Sequence, residues 1–296
     1  MDLVIVGHLS RDLLITPDTT REALGGCAYA MLASSLGVAN AGIVSKVGED
    51  FEQEYWNTLR SSGLSLTGLH KSGPKSTRYV NKYDKNGNRI QFVENLAEKI
   101  TLEDFPEDYY DARAVHFSPL SPDEIDIECI RLSRSNATIT SLDAQGYIRS
   151  IETDGKVAVK NWVDRDEVLS LLDIVKLHEE ELRIAMRGES ELAMVSQILS
   201  LGPRIVIITR DKRGSTIYTR NEQVNIPLVQ AEIEIDSTGC GDVYTIGFLI
   251  EYMRSSNLKR AGIFASTCAS FNVETSGPYN MPSRLDVETR MQTYLE

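Results

Sequence analysis

The residues with most to say about chemistry are Asp236-Ser237-Thr238-Gly239-Cys240-Gly241-Asp242, a glycine-rich stretch followed directly by an apolar run from Val243 to Met253. That run predicts a helix, and the alternation of Gln230-Ala231-Glu232-Ile233-Glu234-Ile235 before it predicts a strand, so the stretch reads as a strand-to-helix turn. The first N–H groups of a helix lack internal acceptors, and glycines let a ligand approach the backbone. Together they make an anion site, with phosphate the expected occupant. Asp242 is the odd member. A carboxylate in a phosphate cradle repels the bound anion, yet it can take a proton from an attacking alcohol while the amides steady charge on a transferred phosphoryl group. The same residues would also serve an ordinary helix start, with Asp236, Ser237 or Thr238 as cap and Asp242 complementing the dipole. Taken alone, the stretch leaves both readings open.

Such a turn needs a framework. Leu3 to Val6, Ala41 to Val44, Ala114 to Phe117, Thr138 to Leu142, Ile174 to Leu177 and Ile205 to Thr209 are short apolar runs of the kind that form strands buried on both faces. Between them lie amphipathic stretches at Ala28 to Leu36, Phe51 to Ser61, Glu180 to Met186 and Glu191 to Leu201. The alternation predicts an α/β fold, a doubly wound and mainly parallel sheet with helices on both faces. Ligands in such sheets bind beyond the carboxyl ends of the strands, where the glycine-rich turns gather. Thr77 to Val93 breaks the rhythm and predicts a hairpin around Asn86-Gly87. With Leu13 to Thr16 and Pro17 to Glu22 it would form a small accessory sheet over the site, either a lid built from residues about 9–22 and 75–96 of one domain spanning 1–296 or a surface hairpin without function.

Composition bounds the partners. With 31 basic and 43 acidic side chains the 296-residue chain carries a net charge of −12, which argues against a non-specific grip on nucleic acid or anionic membrane. The four cysteines lie far apart, without zinc spacing or the density of a disulfide scaffold, so they read as reduced thiols of a cytoplasmic protein. No apolar stretch approaches the length of a membrane span.

Ile235 to Asp242 resembles the C-terminal signature of the PfkB, or ribokinase-like, carbohydrate kinases, with Cys240 in place of the usual alanine and Ser237 in place of a threonine. The likeness continues in family order along the chain, through Gly7 to Asp12, Gly25-Gly26-Cys27-Ala28-Tyr29-Ala30, Ser45 to Phe51, Asp143 to Arg149, Lys176 to Glu181 and Val206 to Gly214. It implies a ribokinase-like fold with a small β lid, and transfer of a phosphoryl group from ATP, with Mg2+, to a hydroxyl of a small sugar or polyol. It also implies roles. Asp242 would be the catalytic base, and Gly239, Cys240 and Gly241 the anion hole. Asp12, Gly25, Gly26, Gln145 and Arg149 would hold the substrate. Thr209, Gly214 and Thr238, with Gly239 and Gly241, would hold the nucleotide, and Glu181 the metal.

Three departures mark where the usual partners are missing. Ala30 replaces a common asparagine, His178 replaces the asparagine of the metal motif, and Asp211 replaces the first glycine of the nucleotide strand. The form Asp-x-Gln-x-x-Ile-Arg from Asp143, with the Gly25 loop, looks most like the myo-inositol kinase branch, which points to a cyclitol acceptor. A nucleoside, ribose or a 2-keto-3-deoxy sugar acid are the other acceptors, plain ribose disfavoured by Ala30 and the sugar acid kept open by the cations of the lid segment. A catalytically silent nucleotide- or sugar-binding regulator on the same fold is the reading outside enzymes. The state of assembly would be a monomer or a homodimer.

Overall fold

The computed structural model of the chain describes residues 1–85 and 89–295. From the N-terminus the chain forms β1 (Leu3–Val6), β2 (Leu9–Ile15), β3 (Thr20–Gly26), the short helix α1 (Met31–Ser35), β4 (Ala41–Val47), α2 (Gln53–Ser61) and β5 (Ser65–Lys71). β6 (Thr77–Tyr83), β7 (Arg89–Asn95), β8 (Ala114–Phe117), α3 (Ile127–Asn136) and β9 (Ile139–Asp143) follow. Next come β10 (Arg149–Ile151), β11 (Val157–Val159), α4 (Arg165–Ser170), β12 (Ile174–His178), α5 (Glu179–Ala185) and α6 (Glu191–Leu201). The last third holds β13 (Ile205–Thr209), β14 (Ser215–Tyr218), β15 (Gln223–Ile226), α7 (Cys240–Ser255), α8 (Leu258–Val273) and α9 (Arg284–Met291).

Nine strands join in one sheet in the order β15-β14-β13-β12-β9-β8-β1-β4-β5. Every pair from β13 to β5 is parallel, and β14 alone runs the other way. The six strands expected from apolar runs are its contiguous centre, β13 to β4. Their alternate side chains feed two cores, as a parallel sheet covered on both faces requires. Leu3 and Ile5 of β1 pack with α7 and α8 in one core, while Val4 and Val6 join the other with α3 and α6. The fold is thus the doubly wound α/β type the sequence predicts.

Two local expectations are corrected. Gln230 to Ile235 forms no strand but an irregular segment. Its Ile233 and Ile235 are more than half exposed, so the alternation there separates no buried face from a wet one. The amides of Ile235 and Asp236 donate instead to the Val273 carbonyl, at 2.8 and 3.1 Å. The turn before α7 is therefore entered from coil. The stretch expected as a helix from Ala28 begins as a 3-10 turn, Cys27–Ala30, before α1.

A second, four-stranded sheet has the order β3-β2-β6-β7, with β2 and β6 parallel and both outer pairs antiparallel. Only Gly7 and His8 separate β1 from β2, so this sheet stands at the carboxyl edge of the large one. Its register aligns Ala23, Asp12, Tyr79 and Val93 in one row, and Arg21, Leu14, Asn81 and Gln91 in the next. Residues opposite one another share a face, and so do residues two apart, so all eight project to one side. The turn expected at Asn86-Gly87 lies outside the described residues. Among the described residues no helix is long and apolar enough to cross a membrane.

Candidate active site

The glycine-rich turn and the head of α7 lie at the carboxyl edge of the large sheet, with the small sheet opposite. Gly239 precedes the helix in the left-handed conformation, φ +77°, and no side chain caps the helix start. Asp236 instead accepts from the Thr238 amide at 2.9 Å, three residues too early to cap α7. The expected side-chain cap is therefore absent among the described residues, although Asp242 does stand in the first turn, and the amides of Gly239, Gly241 and Asp242 meet no acceptor among those residues. Three open donors at the start of a 16-residue helix are the elements of an anion site.

The turn is held rigid from below. The ring of Tyr29 occupies the space that a side chain on Gly239 would need, and its hydroxyl donates to the Thr238 carbonyl at 3.0 Å. Asn272 of α8 donates to the same carbonyl at 2.9 Å and to the Cys240 sulfur at 3.3 Å. Burial pushes the Cys240 thiol up to about 11, so it remains a protonated packing group.

Asp242 is half-buried, and its Oδ1 accepts from the Ser118 hydroxyl, 2.7 Å away at the end of β8. Burial pushes its carboxyl up to about 6, aided by the charge of Asp143 and opposed by the Ser118 hydrogen bond and the charges of Lys176 and Arg149. Beneath it lies an ion pair, Lys176 Nζ to Asp143 Oδ2 at 2.7 Å, with both side chains almost wholly buried. The Lys176 ammonium comes within 3.0 Å of where a Cβ on Gly241 would stand, a close approach that glycine leaves free. Burial alone would pull Lys176 down, but Asp143 and Glu181 outweigh it and hold the amine up at about 12.

Asp12, on β2, faces the cleft from the other side. It is 8% exposed, its Oδ1 has no hydrogen-bond partner among the described residues, and burial pushes it up to about 6, against the pull of Ser10, Arg89 and Arg149. Gly25 makes room for it, since a Cβ there would lie 2.7 Å from Asp12 Oδ2. Gly26 acts on the chain path instead, fitting against the His8 carbonyl at φ +61°. Arg149 is half-buried, donates from Nη1 to the Leu120 carbonyl at 2.9 Å, and is pulled below arginine's usual range by burial. Gln145 is half-buried in the turn after β9, its amide donating to Asp143 Oδ1 at 3.3 Å.

The side where the nucleotide is expected is built from β12, β13 and the loops after them. Glu181 Oε2 accepts from the His178 amide at 2.7 Å, and burial together with Asp143 pushes its carboxyl up. His178 bonds within the protein, Nδ1 accepting from Glu180 N and Nε2 lying 3.3 Å from Asp211 Oδ2. Asp211 is held at φ +44° with its side chain toward that histidine. Thr209 ends β13, and Gly214, φ +76°, turns the chain back against the Ile226 carbonyl. Among the described residues no three metal-ligating side chains cluster. Glu181 Oε1 has no protein donor among them, which suits magnesium held by one carboxylate, waters and the phosphates of a nucleotide.

Asp12, Gly25, Arg149, Glu181 and the 238–242 turn are thus gathered around one cleft, while Gly26 and Gly214 serve the backbone. Sequence reasoning missed Ser118, Lys176, Asp143 and Tyr29 as members. Asp143 and Lys176 stand inside motifs that attracted notice, but nothing in either motif announces their pairing across 33 positions of chain.

A doubly wound sheet with an open helix start, a carboxylate beside it and a second carboxylate across the cleft defines a small-molecule phosphotransferase. Comparison with known proteins gives the family: the model of the pfkB family carbohydrate kinases matches residues 1–284, and the chain belongs to that family. A cytidine kinase of Thermococcus kodakarensis is 32% identical over 265 residues, 88% of this chain and 91% of that protein. A nucleoside kinase of Methanothermobacter thermautotrophicus is 32% identical over 296 residues, 93% of this chain and 90% of that one. Among solved structures, a pyrophosphate-dependent kinase in the ribokinase family, complexed with a pyrophosphate analog and myo-inositol, superposes with TM-score 0.83 at 24% identity, covering 97% of this chain and 99% of that one. The protein is a kinase of the ribokinase family, acting on a carbohydrate or nucleoside.

Proposed function

We propose that the protein transfers the γ-phosphoryl group of ATP to a sugar hydroxyl of a nucleoside, with Asp242 as the base. The observation that carries the chemistry is the placing of Asp242: its carboxylate shares the head of α7 with three open amides and faces Asp12 across the cleft. Asp12 would accept hydrogen bonds from the sugar hydroxyls, and Asp242 would take the proton of the attacking one. As the new P–O bond forms, the bond to the bridging oxygen breaks and ADP leaves. The amides of Gly239, Gly241 and Asp242 would steady the equatorial oxygens of the phosphoryl group in transit. Magnesium beside Glu181 would neutralise phosphate charge. Thr209, Thr238 and Gly214 line the donor side, and the small sheet would act as a lid that excludes water.

The nucleoside acceptor is supported by the relatives at 32% identity, named a cytidine kinase and a nucleoside kinase and matched over nearly their whole length. The cyclitol acceptor expected from the motif at Asp143 has behind it a solved structure alike in fold, at 24% identity. Both belong in one test. Purified protein with magnesium is offered nucleosides, ribose, inositols and 2-keto-3-deoxy sugar acids, with ATP or pyrophosphate as donor, and product is followed directly. ATP-dependent phosphorylation of a nucleoside in preference to the other acceptors is the expected result. Turnover of inositol alone would replace the nucleoside reading, and no turnover at all would leave a silent binding protein. Asp242→Asn should lower kcat by about 10²–10⁴-fold while ATP still binds.

A further inference from the structure

The small sheet presents to the cleft a pair of amides that the phosphoryl chemistry does not use. Tyr79, Asn81 and Tyr83 alternate along β6 on one face. The Tyr79 hydroxyl donates to the Leu120 carbonyl at 2.9 Å, and the Tyr83 hydroxyl lies 3.4 Å from Thr238 Oγ1. That face is therefore turned toward the catalytic turn, and Asn81 sits in its middle. Asn81 is 1% exposed, and although its Nδ2 is buried it has no hydrogen-bond partner among the described residues. Its neighbour across the strands, Gln91, donates from Nε2 to Asn81 Oδ1 at 2.9 Å. Asp12 stands one row away on the same face, itself with an unpartnered oxygen.

A buried amide hydrogen without an acceptor is destabilising, so its persistence asks for a ligand that supplies one. Linked as they are, Asn81 and Gln91 offer the cleft one donor and one acceptor side by side. Exchanging the oxygen and nitrogen of both amides leaves the same offer. A planar heterocycle with a ring acceptor next to an exocyclic amine, or a ring N–H next to a carbonyl, matches that offer along one edge. The Tyr83 ring on the same face gives such a plane an apolar wall.

We propose that Asn81 and Gln91 are the specificity-determining pair that reads the edge of a nucleobase while Asp12 holds the sugar. This rests on the nucleoside acceptor proposed above. Neither residue touches the reacting atoms, so the pair sets which nucleoside is chosen and leaves the phosphoryl step to the turn.

The test is the ratio of kcat/KM among cytidine, uridine, adenosine and inosine for the native protein, for Asn81→Leu, and for the nearly isosteric Asn81→Asp and Gln91→Glu. General damage to the fold lowers all four values together and leaves the ratios alone. Loss of base reading changes the ratios, by about tenfold or more, because a site built around a polar edge rejects bases that leave it unpaired. Asn81→Asp turns the donor into an acceptor and should disfavour the nucleosides whose ring nitrogen is an acceptor. Ratios unchanged within about twofold in all three variants would overturn the pair's role while leaving the nucleoside kinase intact. Native protein that phosphorylates an inositol but no nucleoside would overturn the acceptor class itself, and the base-reading pair with it.

Discussion

As the proposed base, Asp242 must be unprotonated to accept a proton, and burial has pushed its carboxyl up to about 6. Log kcat/KM should therefore rise with unit slope as pH climbs toward about 6 and level off above it. Ser118 works against burial, because its hydroxyl stabilises the charged form through a 2.7 Å hydrogen bond. Ser118→Ala should move the acid limb of the profile to higher pH, and lower the rate at pH 6 more than at pH 8. A profile that does not move would show that Ser118 plays no part in setting the base. Gly239 and Gly241 are different: they matter for the side chains they lack, one leaving space for the Tyr29 ring and the other for the Lys176 ammonium.

Between elements, the decisive contact runs from β3 to the catalytic turn. Arg21 Nη2 lies 2.9 Å from Asp236 Oδ2, and Asp236 also holds the Thr238 amide and the Ser276 hydroxyl. The small sheet is thus tied to the residue that shapes the anion site. Arg21→Ala should lower kcat/KM by about tenfold, roughly 1.4 kcal/mol, and shift Tm little, since the arginine is a third exposed. An equal loss in thermal stability and activity would reduce the contact to a structural tie. The same scale shows what the sequence could disclose. The six central strands were legible because burial on both faces demands an unbroken apolar run. β5, β14 and β15 flank that centre, and runs such as Ser65 to Lys71, interrupted by Thr67, Gly68 and His70, carry no such signature. Gln230 to Ile235 misled because alternation records only a preference for two faces, not the presence of a partner strand. The catalytic turn was legible because an open helix start needs glycines in fixed places. Ser118 was not, because it lies 124 positions from Asp242 and an isolated serine advertises nothing.

For the molecule as a whole, two raised carboxylates set activity against stability. Asp12 and Asp242 have folded values of about 6 against 3.8 for the free side chain, so the native state binds these protons more tightly than the unfolded chain. Their contribution is fully favourable below about 3.8, is lost as pH rises through about 6, and stays lost at neutral pH. Asp242→Asn, which stays neutral, should raise Tm by a few degrees at pH 7 to 8, and that gain should vanish near pH 4. Equal melting curves at pH 7 would mean the carboxylate is better solvated than its burial implies. The cleft also joins distant parts of the chain, Asp12 from near one end and Asp242 from more than four fifths of the way along 296 residues. During synthesis the ribosome therefore makes the acceptor sheet early and the base late. On the proposed assignment, a nascent or truncated chain ending before Asp242 would lack both the base and the anion site, so prematurely ended copies would not squander ATP.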